Sequence, residues 1–232
     1  MNGMKYVVTA GPTREHLDPV RFLSNPSTGK MGFAIAAEAA RRGHEVVLIA
    51  GPVTLKTPKG VTRVDVVSAR EMLAAVRAAL GKSGAQPTTL IATAAVADWR
   101  PAKCAAKKLK KHQMSGTLKL VRNPDILKTL NQTISRSRQS DNLPLVRVGF
   151  AAETGAPVAE AARKCREKGL DLVVGNDVTA KGCGFGTATN RVTFVHPDGS
   201  VDPLPMMSKD AVARRIVSFC ESCAELRQNV GM

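Results

Sequence analysis

The stretch Arg21 to Gly32, RFLSNPSTGKMG, sets hydroxyl side chains, glycines and a lysine directly ahead of an apolar helical pattern. Ser27, Thr28, Gly29 and Gly32 fall at the entrance of that helix. Exposed backbone N–H groups, the positive end of a helix dipole and small hydroxyls together suit a phosphate chain. The stretch is not a Walker A loop: Gly29-Lys30 requires a glycine at position 24, which is Ser24, and Met31 stands where Ser or Thr belongs. Nor is it a dinucleotide fingerprint, because no G-x-G-x-x-G directly follows the first strand. A capped helix after a long loop explains the same residues. Arg14 and Arg21 read equally as anion contacts and as solvated charges. The residues alone leave both readings open.

A second basic feature is KKLKK at 107–111. It follows ATAAVADWRP, at the end of an expected central strand, where a mobile Lys-rich flap closing over a triphosphate would neutralise charge as pyrophosphate leaves. A solvated basic face is the plainer reading. His16, His44, His112 and His196 show no ligand-like spacing, so no metal site made of protein side chains is expected. Five cysteines are scattered along the chain, and only Cys220 and Cys223 form C-x-x-C, inside an expected terminal helix. Reduced thiols are the expectation.

The elements that must position these residues alternate between strands and helices. KYVVTA (5–10), EVVLIAG (45–51), VTRVDVV (61–67), TTLIATAA (88–95), PLVRVGFAAET (144–154) and LDLVVGND (170–177) read as strands, and TLKLV (117–121) as a further one. A helix begins near Lys30, with Phe33, Ala36, Ala37 and Ala40 on its apolar face. Ser68 with Glu71 forms a capping box for the next helix. Asn123 is the expected N-cap of NPDILKTLNQTI, with Pro124 at its first position. ISRSRQSDN (134–142) reads as a surface loop. RVTFV-HPDGS-VDPLP is a hairpin turning at Asp198-Gly199, and Ser208 caps a last helix over 209–227. This order predicts a doubly wound, mostly parallel α/β sheet, Rossmann-like, with a late antiparallel hairpin at one edge. No repeat or long linker interrupts it, so residues 1–232 are expected to form a single domain.

The chain has 232 residues, 44% of them apolar, with a net charge of +15. Such a composition is globular, and the positive field favours anionic partners. Aromatic residues are only 3%, which leaves few stacking platforms for single-stranded nucleic acid. No apolar run is long enough to span a bilayer and no signal-type leader opens the chain, so a cytoplasmic location is expected.

Seven blocks, TAGPTRE, LDPVRFLSN-x-S-x-GKMG, ATAAVADWRP, the K-x-K-K run, LVRNPDIL, VGFAAET and K-x-x-x-K-G-x-D-L-V-V-G-N-D, together resemble the phosphopantothenate–cysteine ligase family in order and over residues 4–224. The resemblance implies activation of the carboxylate of 4′-phosphopantothenate by a nucleoside triphosphate with Mg²⁺. The acyl-nucleotidylate so formed is then attacked by the amine of L-cysteine. CTP is the implied nucleotide from the bacterial-type GKMG and AVADWRP blocks, with ATP the alternative. By motif position, Asn25 would engage the acyl-nucleotidylate, Arg21 would support its turnover, and Lys108 would be the flap lysine, with Lys107 and Lys110 as neighbours in register. Ser27, Thr28, Gly29 and Gly32 would line the triphosphate. Thr28 stands where the family usually has a second serine. Ala94 and Ala95 would offer backbone groups, while Asp98, Asn123, Pro124, Asp125 and Ile126 would read base and ribose. Phe150 would pack beside the base, and Lys164 and Lys168 would reach phosphates. Asn176 lies in a family motif whose role does not follow from the residues. The family also implies a homodimer. It is often fused behind a flavin-dependent decarboxylase, a half that this sequence does not contain. No flavin is therefore expected, and a separate decarboxylase partner becomes a natural question.

Two rival classes remain at this stage. An NAD(P)-dependent oxidoreductase shares the strand–loop–helix opening, but its glycine spacing is missing and EVVLIAG ends without the acidic residue that holds a ribose. A basic nucleic-acid-binding domain would explain the charge and KKLKK and would bind in a salt-sensitive way. Neither nucleic acid nor membrane is expected as a partner.

Overall fold

The run KYVVTA forms strand β1 (Lys5–Ala10) with every residue buried, as a strand covered on both faces must be. The computed structural model describes residues 3–81, 86–110, 116–137, 145–155 and 157–230. After β1 come a short hairpin of β2 (Arg14–His16) and β3 (Phe22–Ser24), helix α1 (Lys30–Arg41), β4 (Glu45–Ala50), β5 (Val61–Asp65) and α2 (Ala69–Gly81). The chain continues through β6 (Thr88–Ala92), a second hairpin of β7 (Trp99–Pro101) and β8 (Leu120–Arg122), α3 (Ile126–Ser137), β9 (Leu145–Glu153), α4 (Pro157–Glu167) and β10 (Leu172–Asp177). It ends with β11 (Thr189–Asn190), β12 (Val192–Val195), β13 (Val201–Pro203), β14 (Met207–Ser208) and α5 (Lys209–Val230).

One eight-stranded sheet runs β13-β12-β10-β9-β6-β1-β4-β5. It is parallel from β10 to β5, and the β12–β13 hairpin adds antiparallel pairs at one edge. The parallel strands thus follow the doubly wound order, with the switch point between β1 and β6. Strand alternation feeds two cores. Tyr6, Val8 and Leu48 pack with Ile35, Ala36, Ala39, Ile216 and Val217 beneath α1 and α5. Val7, Ile49 and Leu90 pack with Met72, Leu127, Leu130, Ala161 and Val173 beneath α2, α3 and α4.

Local signals met their targets where a motif is short. Ser68 Oγ and Glu71 Oε1 lie 2.9 Å apart at the start of α2, and Ser68 Oγ accepts the Glu71 N–H at 3.3 Å. Ser208 Oγ accepts the Ala211 N–H at 3.1 Å and caps α5. Gly199 takes a positive φ of 87° in the expected turn.

Other expectations need correction. The buried face of α1 is Gly32, Phe33, Ile35, Ala36, Glu38 and Ala39, whereas Ala37 and Ala40 are only half-buried. Glu38 is held inside by Arg41 and Arg42, each donating at 2.8 Å. Asn123 does not cap α3; Asp125 does, its Oδ1 accepting the Lys128 N–H at 3.0 Å. The strand expected at 117–121 is β8, Leu120–Arg122, placed by pairing with Trp99–Pro101. Ile134 to Ser137 belong to α3 rather than to a loop, and 138–142 lie outside the described residues. Helix α5 runs to Val230, past the expected 227. Its Cys220 and Cys223 are free thiols.

Candidate active site

The loops leaving β1 and β6 are laced together at the switch point. Pro12 bridges Ala95, the Ala95 N–H donates to Gly11 O at 2.9 Å, and the Ala97 N–H donates to Thr13 Oγ1 at 3.0 Å. This lacing opens the carboxyl edge of the sheet into a cleft of about 660 Å³. The cleft is lined by Asn25, Ala94, Ala95, Asp98, Asn123–Ile126, Phe150, Lys164 and Lys168. All of them were expected in the site from the motif blocks.

A smaller cavity of about 70 Å³ adjoins it, bounded by Ser27, Thr28, Gly29 and Gly32 with Asn176, Phe185 and Lys209. Both spaces share Thr93, Phe150, Ala152 and Phe185 as walls. Gly29 occupies the N-cap of α1 with φ 78°, and neither a side-chain cap nor an acidic residue stands in the first turn. The first N–H groups of α1 therefore face the cavity without a competing carboxylate, the arrangement that receives anions. Gly32 has a packing reason as well. A Cβ there would lie 2.6 Å from both Ala10 Cβ and Thr93 Oγ1, so only glycine lets α1 come this close to the strand ends. Thr28 Oγ1 donates to Phe185 O at 2.6 Å, which ties the helix entrance to the 182–187 loop.

Each cleft residue has a reason for its pose. Asn25 Nδ2 donates to Ala95 O at 3.1 Å, which orients the amide beside the Ala94-Ala95 backbone. Asn123 Nδ2 donates to Ala97 O at 2.8 Å and its N–H to Asp98 O at 2.8 Å, joining the β6–β7 loop to the entrance of α3. Lys168 Nζ meets Asp125 Oδ2 at 2.9 Å. Lys164 Nζ donates to Phe150 O. Burial, and then the Lys168 charge, lower the Lys164 pKa from its ordinary value. At Asp125 burial acts upward, but the Lys128 N–H and the Lys168 ammonium outweigh it and hold the carboxyl below its usual range.

Arg21 and Lys108 are placed together but away from the cleft wall. Arg21 pairs with Asp18 at 2.5 Å and donates to Leu109 O at 2.8 Å, next to an exposed Lys108. Lys111 and His112 lie outside the described residues. Sequence reasoning missed Thr93, Phe185, Lys209 and Asp18. The DPVR block carries Asp18, but nothing local announces that its carboxylate reaches residue 109. Among the described residues, no three His, Cys, Asp or Glu side chains converge as a metal cage.

The fold and this cleft define a doubly wound α/β protein with its large cleft at the topological switch point, where such folds take their ligands. The chain belongs to the family described as DNA/pantothenate metabolism flavoprotein C-terminal domain, whose model matches residues 1–223. It is 44% identical over 223 residues to the coenzyme A biosynthesis bifunctional protein CoaBC of Escherichia coli strain K12, covering 94% of this chain and 52% of that protein. Against the protein of the same name from Bacillus subtilis strain 168 it is 45% identical over 218 residues, covering 94% and 51%. The chain thus spans about half the length of the curated relatives it matches. Among solved structures, the C-terminal domain of a CoaBC protein superposes with a TM-score of 0.78 at 39% identity, covering 97% of both chains. A Cab2 variant in complex with phosphopantothenate-cysteine shares the fold, with a TM-score of 0.73 at 15% identity over 97% of this chain and 89% of that one.

Proposed function

We propose that this chain is a ligase joining 4′-phosphopantothenate to L-cysteine in coenzyme A biosynthesis, with CTP rather than ATP as the activating nucleotide. The observation that carries this reading is a pair of adjoining spaces with two kinds of wall. An uncapped helix entrance at Gly29 borders the smaller one, and the larger cleft beside it holds the Asn25 amide, the Ala94-Ala95 backbone and the Lys164/Lys168 pair. Membership of the family and the 39% identity to a CoaBC C-terminal domain support it.

The chemistry asks for positioning and charge dispersal. A carboxylate oxygen of phosphopantothenate attacks the α-phosphorus, and pyrophosphate leaves. The cysteine amine then attacks the acyl carbon, the nucleoside monophosphate departs with that carboxylate oxygen, and the amine sheds a proton. Lys164 and Lys168 are suited to hold phosphate oxygens, and Asn123 to Ile126 to border the base and ribose. Phe150 supplies an apolar wall. Ser27, Thr28, Gly29 and Gly32 receive a further phosphoryl group at the helix entrance. Asn25, oriented by Ala95, is placed to hydrogen-bond the acyl-nucleotidylate, while Arg21 and Lys108 act from the flap side.

Among the described residues the cleft offers Asp98, Asp125 and Glu153 as carboxylates, Asp125 already paired with Lys168, but no cage, a donor set that fits Mg²⁺ carried on the nucleotide rather than a resident ion. When bound, Mg²⁺ would screen the triphosphate charge. The proposed chemistry uses no flavin, and a decarboxylase acting on its product would be a separate protein or segment. We also take the chain as a single-domain homodimer acting in the cytoplasm. Val20 (57% exposed), Phe22 (40%) and Trp99 (45%) on or beside the two small hairpins support an interface there. No described helix is long and apolar enough to cross a membrane.

The test is to supply phosphopantothenate, cysteine, Mg²⁺ and CTP or ATP and to measure pyrophosphate together with the mass of the amide. Folded protein that forms no cysteine amide with either nucleotide refutes the reading.

A further inference from the structure

A buried carboxylate grips the flap. The Asp18 side chain has 0% exposure and pairs with Arg21 at 2.5 Å. Its Oδ1 accepts the Val20 and Arg21 N–H groups, each at 2.8 Å. Oδ2 accepts Arg21 Nε at 3.1 Å and the Leu109 N–H at 3.1 Å. Arg21 Nη2 in turn donates to Leu109 O at 2.8 Å. The two polar groups of residue 109 are thus gripped by the two members of one ion pair, 88 and 91 residues away in sequence. The Ala105 N–H adds a bond to Leu17 O at 2.8 Å. Arg21 and the surrounding N–H donors hold the Asp18 carboxyl far below the usual range, so the clasp stays charged at neutral pH.

We propose that Asp18 is a positioning residue that clasps the Lys-rich flap to the Arg21 loop, so that Arg21 and Lys108 are set by one carboxylate and move as a unit. Lys108 leaves the backbone directly beside the gripped residue. Its direction is therefore set by the Asp18–Leu109 bond rather than by packing of its own exposed side chain. A carboxylate that only staples the β2–β3 turn would need its Oδ1 contacts alone. The Oδ2 contact to Leu109 serves the flap. The consequence for catalysis rests on the ligase reading, whereas the clasp itself does not.

Two measurements test it on the full chain. In native-state trypsin digestion read by mass spectrometry, Asp18→Asn keeps an acceptor for the turn but loses the charge. Cleavage after Lys107, Lys108 or Lys110 should rise about tenfold or more, because it tracks the population of the released flap. Asp18→Glu should recover part of the protection. Arg21→Ala, at a half-exposed site, should also release the flap and serves should Asp18→Asn fail to fold. In the ligase assay, Asp18→Asn should lower kcat for pyrophosphate release about tenfold or more and leave KM for cysteine within about twofold. Added to Lys108→Gln it should cost little further, since both changes remove the same function. Unchanged flap cleavage in both Asp18→Asn and Arg21→Ala overturns the clasp. Multiplicative losses in the double variant overturn its catalytic role. Flap release in variants of a protein with no ligase activity would uphold the clasp and remove the ligase reading instead.

Discussion

Lys168 and Asp125 meet at 2.9 Å across the cleft, and the same carboxylate caps α3 through the Lys128 N–H at 3.0 Å. The ion pair holds the ammonium at the cleft wall. A triphosphate would draw Lys168 from Asp125, leaving the carboxylate with its cap bond.

Lys168→Ala should therefore raise KM for the nucleotide about tenfold to a hundredfold, the worth of a hydrogen bond to a charged group. KM for cysteine should not move. Steady-state kinetics with each substrate varied in turn checks this, and equal rises in both constants would remove Lys168 from the phosphate site.

Lys164 should give the nucleotide affinity an alkaline limb. Burial and the Lys168 charge set its pKa below the ordinary 10.5. As pH rises through that lowered value, Lys164 loses its proton sooner than a solvated lysine does. Nucleotide affinity should weaken there, before pH 10.5 is reached. The sign for stability is opposite: folding disfavours the charged form, so the share of stability owed to Lys164 rises with pH across the same window. Calorimetric titration from neutral to alkaline pH reads the affinity. Lys164→Arg, which stays charged, should flatten that limb.

Gly32→Ala should damage the site through packing. The added methyl meets Ala10 Cβ and Thr93 Oγ1 at 2.6 Å each, and α1 must shift away from the strand ends. A loss on the order of 1–3 kcal/mol in unfolding free energy is expected, with weaker binding of phosphate-bearing substrates. Denaturant unfolding and substrate KM values report the two effects. A variant of undiminished stability would show that the helix entrance can move at no cost.

These contrasts show which parts were legible in the residues. The capping box of Ser68 and Glu71, the Asp198-Gly199 turn and the Gly29 helix entrance are local, so a few neighbours determine each. The choice between Asn123 and Asp125 as cap was not local. Both residue types cap well, and it is the Ala97 carbonyl, 26 residues away, that draws Asn123 off. The β7–β8 pairing and the bond from Thr28 to Phe185, 157 residues apart, arise from tertiary approach that no window of sequence contains. The motif blocks gathered the cleft residues as a set. They did not reveal that Arg21 binds the flap backbone at Leu109, beside Lys108 and away from the cleft wall.

Asn25→Asp should let the acyl-nucleotidylate accumulate. Asn25 Nδ2 donates to Ala95 O, and a carboxylate at that position would face the carbonyl with no proton to offer. The lost pose should slow transfer to cysteine more than activation. Quenched-flow mass spectrometry of the intermediate checks this, and an undiminished rate of final product would reassign Asn25.

In the proposed reaction the substrate carboxylate attacks the α-phosphorus. Phosphopantothenate labelled with ¹⁸O in its carboxylate, turned over with cysteine and CTP, tests it most directly. One ¹⁸O is expected in the released CMP and none in pyrophosphate. Unlabelled CMP, or label in inorganic phosphate, would contradict it.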